Sequence, residues 1–232
     1  MGKANLNNTA YEERLGTDRM LPLVLRMAMP SVAAQIVNLL YNLVDRIYIG
    51  HIPGIGTDAL AGIGVTGAII ILISAFSAIV SGGGAPLAAI ALGQGDRKRA
   101  GQTLGNGFVL LLIFTLLTTT LTYLFMEPLL MFTGASENTV GYAKDYLSIY
   151  LLGTLFVETS VGLNTFINTQ GRPAIAMYSV LIGAVLNIIL DPIFIFVMGM
   201  GVRGAALATV ISQACSALWI VSFLTSKRAS LR

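Results

Sequence analysis

Charged residues are scarce in this sequence: Asp, Glu, Lys and Arg together make up 11% of its 232 residues. A soluble domain carries roughly 25%, so the shortage excludes a fold wetted on all sides. Cysteine is limited to Cys215, inside the last apolar stretch, which excludes an internal disulfide and leaves the redox compartment unread. His51 is the only histidine; beside Pro53 at a helix end, it reads as a loop residue rather than a proton relay. There is no Ser-His-Asp set, no metal-ligand spacing, no phosphate loop and no dinucleotide fingerprint. The expectation is therefore a protein that is not an enzyme, with no cofactor and no structural metal. The polar start of the chain, Met1–Asp18, lacks an apolar core or a small-residue cleavage site, so no cleaved signal peptide is expected.

What the sequence has in abundance is apolar length. Hydrophobic residues make up 55% of it and the mean hydropathy is +0.79. They fall in six blocks, Met27–Val44, Ile63–Ala91, Leu104–Met126, Tyr146–Ile167, Ala174–Met198 and Ala205–Leu224. Each approaches or exceeds the roughly 20 residues that cross a bilayer as a helix. A buried soluble core would need polar outer faces that these blocks lack. The fold class is thus an all-α integral membrane protein of six transmembrane helices, with spans at about 21–50, 59–93, 103–127, 145–169, 173–198 and 204–225. Residues 1–20 read as a cytoplasmic lead-in and 227–232 as the start of a cytoplasmic linker or tail.

Of the 14 Lys and Arg, a cytoplasmic N-terminus leaves only Arg46, Lys144 and Arg203 outside. The rest, including Arg97-Lys98-Arg99, Arg172 and Arg228, fall inside. That asymmetry predicts both termini in the cytoplasm. The net charge of +3 is then a matter of topology, and no nucleic-acid partner is expected.

Breaks interrupt several helices: Pro30 in the first, Gly82-Gly83-Gly84-Ala85-Pro86 in the second and Pro192 in the fifth. Proline removes a backbone hydrogen bond and clashes with the carbonyl four residues back. Such breaks mark helices that bend or line a cavity, and Pro30 and Pro192 are the expected hinges. The glycine run also fits plain close packing.

Polar side chains add a second pattern. Ser31, Gln35, Asn38, Asn42 and Asp45 share one face of the first helix, Ser179, Gly183, Asn187 and Asp191 one face of the fifth, and Thr209, Ser212 and Ser216 one face of the sixth. On lipid these stripes would be penalised, so they should face one another or a wet cavity. At about 1.5 Å of rise per residue, Asp45, Asp191 and Thr209 all lie roughly 8–10 Å below the outer ends of their helices. With Asn187 one turn deeper, they form an oxygen-lined candidate site for a proton or a hard cation such as Na⁺. Taken singly, Asp45 also fits an interfacial pair with Arg46, Asp191 a local cap beside Pro192, and Asn187 and Thr209 packing hydrogen bonds. Gln35, Asn38, Asn42, Ser179 and Glu158 are the candidate substrate cavity. Glu158, in the middle of the fourth helix, is a functional candidate by depth alone, or a protonated group hydrogen-bonded to a neighbouring helix.

At these residues the chain resembles the multidrug and toxic compound extrusion (MATE) transporters. The resemblance is densest from Gln170 to Gln213, with its Asn187-x-x-x-Asp191-Pro192 segment and the Gly-x-x-Gly-Ala-Ala-x-Ala-Thr entry to the sixth helix. Met29-Pro30, Asn42-Leu-Val-Asp45, Tyr48-Ile-Gly50, Leu60-Ala-Gly-Ile-Gly64 and Gly93–Ala100 extend it over nearly the whole chain after about residue 20. It implies a six-helix MATE-like lobe and an antiporter that exchanges H⁺ or Na⁺ for organic, often cationic and amphipathic, compounds. The family's N-terminal cation site maps onto Asp45, Asn187, Asp191 and Thr209, whereas Glu158 has no counterpart. Implied partners are membrane lipid, small organic substrates and a second six-helix lobe. MATE proteins have two such halves and this chain has one, so it reads as an N-terminal half, or else a half-size protein that dimerises. The alternatives are a flippase of lipid-linked precursors from the same superfamily, which should have a more cationic cavity, and a non-transporting membrane assembly module.

Overall fold

Asp96 shows how the chain marks the start of a helix: its carboxylate accepts from the Arg99 N–H at 2.9 Å, satisfying a donor that the first turn leaves orphaned. Pro173 opens another helix, where its missing N–H costs nothing, after Gly171 has turned the chain at φ +74°, a conformation that glycine adopts without strain. The structure is a computed structural model and describes residues 19–226 and 228–231. Residues 1–18 of the expected lead-in, and Lys227 and Arg232 of the expected tail, lie outside the described residues.

The helices are α1 (Met20–Gly50), α2 (Gly56–Ile79), α3 (Ala85–Gly93), α4 (Arg97–Leu124), α5 (Met126–Phe132), α6 (Val140–Asn168), α7 (Pro173–Pro192) and α8 (Val202–Leu224). A π-turn at Val80–Gly84 joins α2 to α3 in one span, and another at Ile193–Val197 extends α7. Among the described residues, six spans are long and apolar enough to cross a membrane: Met20–Gly50, Gly56–Gly93, Arg97–Leu124, Val140–Asn168, Pro173–Val197 and Val202–Leu224. Several helices start before the apolar blocks do, at Gly56, Arg97 and Val140. Hydropathy marks the lipid-immersed length, whereas caps and turns mark the helix.

One connection differs from the sequence reading. The sequence spans leave residues 128–144 as the connection between the third and fourth helices, yet Met126–Phe132 is the helix α5. Pro128 sits in its first turn, where proline is tolerated. Leu130, 0% exposed, packs with Ile69, Ile73, Ala143 and Leu147 of α2 and α6.

Two further apolar clusters close the bundle at opposite ends. Ile49, Ile52, Ala59, Tyr146, Ile195 and Val202 meet at one; Ala91, Ala100, Ile167, Ala176, Leu224 and Leu231 meet at the other, close to the basic turns. At the first end two of the three expected outer cations are paired with acids, Lys144 with Glu127 at 2.6 Å and Arg203 with Asp145 at 2.8 Å. At the second end residues 228–231, expected to begin a linker or tail, fold back. The buried Gln170 Oε1 accepts from the N–H groups of Ser230 and Leu231 at 2.7 and 3.4 Å.

α6 is the most enclosed span and α1 the least. α6 meets α8 so closely at Gly153 that a Cβ there would collide with Val210. α1 packs mainly along α7 and leaves Leu21, Met29, Leu39 and other large apolar residues exposed, as on a lipid-facing helix. It stays helical through Pro30, with the Ser31 hydroxyl donating to the Met27 carbonyl at 3.2 Å. In the glycine run the helix widens into the π-turn, and Gly84 also packs: a Cβ there would stand 2.9 Å from Phe166 Cζ.

Candidate functional site

α1, α7 and α8 bring their polar stripes together near one end of the bundle. Asp191 is 0% exposed, Asn187 1% and Asp45 9%. Asn187 Nδ2 donates to Asp191 Oδ1 at 3.2 Å and lies 3.4 Å from Thr209 Oγ1. The carboxyl of Asp45 faces that of Asp191 within hydrogen-bonding reach. All four residues of the expected cation site therefore share one place. Asp45 does have Arg46 in electrostatic reach, but its side chain turns inward. Asp191 accepts a hydrogen bond from Asn187, one turn back on the same helix.

The bonding in this cluster is incomplete. Asp45 Oδ1, Asp191 Oδ2 and Asn187 Oδ1 are buried without a hydrogen-bond partner among the described residues, as is Ser212 Oγ on the α8 stripe. Buried polar atoms are nearly always satisfied. An all-oxygen group with two carboxyls and unused lone pairs is suited to a proton or a hard monovalent cation, not to a soft metal. Among the described residues no group of three or more His, Cys, Asp or Glu converges as a metal site.

A cavity of about 540 Å³ runs from this cluster toward the opposite end. Gln35, Asn38 and Asn42 of α1 line it as expected, together with Asp45 and Thr209, and Asn164 and Asn168 of α6 line its far part. Among the described residues, no lysine or arginine lines it. Two residues expected on the wall lie behind it instead. Ser179 is used in packing: its hydroxyl donates to the Ala176 carbonyl at 2.7 Å and accepts from Asn164 Nδ2 at 2.6 Å. Glu158 points from α6 toward α2, where Ser74 and Ser77 donate to its two carboxyl oxygens. The expected hinges flank the site at unequal distance: Pro192 is the residue after Asp191, and Pro30 lies about four turns from Asp45 along α1.

Sequence reasoning missed the aromatic and amide surround. Tyr41 has Asn42 and Gln213 as hydrogen-bonding neighbours and both aspartates in electrostatic reach. Tyr146 neighbours Thr209 and Asp45, and stacks on Tyr150 with ring centroids 6.1 Å apart. Tyr41 is four residues before Asp45 and Gln213 four after Thr209, so both lie within the stripes' own lengths, and widening each stripe to the neighbours at a spacing of four would have found them.

Comparison with known proteins gives a consistent result. The sequence model of the MatE family matches residues 30–193. The multidrug export protein MepA of Staphylococcus haemolyticus is 28% identical over 208 residues, covering 90% of this chain and 46% of that protein. The FAD transporter of Shewanella oneidensis is 29% identical over 208 residues, covering 88% of this chain and 44% of that protein. A crystal structure of MATE in the bent conformation superposes with a TM-score of 0.81 at 30% identity, covering 89% of this chain and 45% of that one. The chain spans a little under half the length of the curated relatives it matches.

Proposed function

The chain belongs to the MatE family of multi-pass transporters of the cell membrane, and from that premise we propose that it forms the cation-coupling N-terminal lobe of an antiporter that exports organic, cationic and amphipathic compounds. The basic turns face the cytoplasm, with both ends of the chain on that side. Asp45, Asn187, Asp191 and Thr209 take up H⁺ or Na⁺ from outside. The observation that carries this reading is the set of buried oxygens of Asp45, Asn187 and Asp191 without a hydrogen-bond partner among the described residues, beside a polar cavity that Asp45 and Thr209 line.

The cation acts by changing how α1 sits on α7. Two facing carboxylates push α1 and α7 apart: unit charges about 4 Å apart at an effective dielectric constant of about 20 repel by about 4 kcal/mol. A bound cation removes that repulsion and so favours the conformer in which the two helices close at Asp45 and Asp191. Pro30 and Pro192, where backbone bonds are already missing, take up the bend. Closure narrows the cavity at Gln35, Asn38 and Asn42 and expels the substrate outward. A second six-helix lobe, following in the same protein or supplied by a partner chain, completes the substrate path.

The cavity lining also bears on cargo. A phosphate-bearing compound such as FAD, or a lipid-linked pyrophosphate, would want basic side chains. The lining offers one acid, Asp45, with amides and tyrosines, which suit an aromatic cation. The reading is tested by dye efflux from cells expressing the full-length gene product. Asp45→Asn and Asp191→Asn should each end cation-driven extrusion at normal expression. Extrusion equal to wild type by either variant refutes the coupling role.

A further inference from the structure

Glu158 is a buried carboxyl that the coupling cluster leaves unused. It is 1% exposed, in the interior of α6. Ser74 Oγ donates to its Oε1 at 2.8 Å and Ser77 Oγ donates to its Oε2. The serines are three residues apart on α2 and so share the face turned to α6. Neighbours that bear charge are few. Tyr150, two turns away on α6, is in electrostatic reach. α2 supplies the two hydroxyls, while the titratable side chains are Tyr178 and Asp191 on α7 and Arg203 and Cys215 on α8. From Gln102 to Thr122, α4 contains no charged residue at all.

An acid held in the membrane interior without a basic partner is expensive unless it can bind something positive. The cavity wall decides what that is. Ser74 lines the cavity and Glu158 does not, so the carboxyl is separated from the cavity by one hydroxyl. A serine hydroxyl donates one hydrogen bond while accepting others. It can therefore pass a proton. Depth separates this group from the first cluster. Glu158 lies ten residues, roughly 15 Å, from the end of α6 at Asn168, whereas Asp45 lies roughly 8 Å from the opposite end of the bundle.

We propose that Glu158 is a second proton station of the lobe, loaded from the cavity through Ser74. Ser74 gives its hydroxyl proton to a carboxylate oxygen of Glu158 and recovers one from the cavity side. The hydroxyl ends as it began and the station passes from −1 to neutral. The site extends the coupling reading beyond Asp45 and Asp191, and rests on it only for the use of that proton in transport.

The test is infrared difference spectroscopy of the full-length protein in lipid nanodiscs, stepping pH and reading the protonated-carboxyl C=O band. Glu158→Gln should lose one pH-dependent component that the Asp45→Asn/Asp191→Asn double variant keeps. Ser77→Ala, which removes a donor but not the acid, should shift the same component, so the assignment does not depend on Glu158→Gln folding. Ser74→Ala should slow that component's exchange in D₂O. A Glu158→Gln spectrum that titrates like wild type, with Ser77→Ala also unshifted, overturns the station. Unchanged exchange in Ser74→Ala overturns the route. A Glu158 component without any from Asp45 or Asp191 supports the station while counting against the first cluster.

Discussion

Asp191→Asn should make the bundle more stable while ending transport. Asparagine has the shape of aspartate, and the site is 0% exposed, so the change replaces one oxygen by an NH₂ and little else. Asn187 can still donate to the remaining oxygen, as it does to Asp191 Oδ1 at 3.2 Å. The new NH₂ faces the carboxyl of Asp45, whose Oδ1 has no partner among the described residues. A hydrogen bond to a charged group contributes about 1.5–3 kcal/mol net, and this sets the expected gain. The roughly 4 kcal/mol of repulsion between two bare charges is its ceiling, because the wild-type pair can relieve that repulsion by holding a cation. For a chain of this size 1 kcal/mol moves the melting temperature by about 2–4 °C, so a rise of about 3–12 °C is expected. Unfolding in detergent can be followed through Trp219, the only tryptophan. Asp45→Asn and the double variant complete a cycle, and contacting residues should couple by about 0.5–3 kcal/mol. An additive cycle, or a destabilised Asp191→Asn, would refute the claim that the two carboxyls act on each other.

Gly153→Ala should lower stability by about 1–3 kcal/mol through overpacking against Val210, even though alanine is the better helix former; a thermal melt checks the sign. Gln170→Ala should speed hydrogen exchange at Ser230 and Leu231, whose N–H groups it releases, while the spans stay protected. With Cys215 replaced by serine, Asn42→Cys on the cavity wall should react with a water-soluble maleimide. Leu116→Cys, 71% exposed on α4 toward lipid, should not. Equal labelling of the two would mean that the cavity is not wet.

The spans and the main cluster were legible for one reason: a membrane penalises polar atoms heavily. That leaves Asp45, Asn187, Asp191 and Thr209 as exceptions that period and depth can align. The same rule could not decide which polar residues face the cavity and which are consumed in packing. Ser179 and Asn42 look alike in sequence, yet one is closed off by Asn164 and the other lines the cavity. That distinction depends on neighbours far along the chain, as does the pairing of Glu158 with two serines of α2. α5 was hidden because seven residues are too few for hydropathy to separate from a loop. The tyrosines were read as part of the apolar blocks, since ring and hydroxyl point to opposite roles.

α1 is 31 residues long, about 46 Å at 1.5 Å per residue, while the hydrocarbon layer is about 30 Å thick. A helix so much longer than the layer must tilt or protrude to fit, and this one has the least protein around it to dictate the angle. α1 packs along α7, so a tilt swings its two ends in opposite directions, and Asp45, five residues from one end, moves with that end relative to Asp191. Bilayer thickness thereby acts on the distance between the two carboxyls, and the lipid becomes a mechanical input to the site. Reconstitution into lipids of graded chain length would read that input directly, as a change in the affinity of the proposed coupling site for its ion with no residue altered.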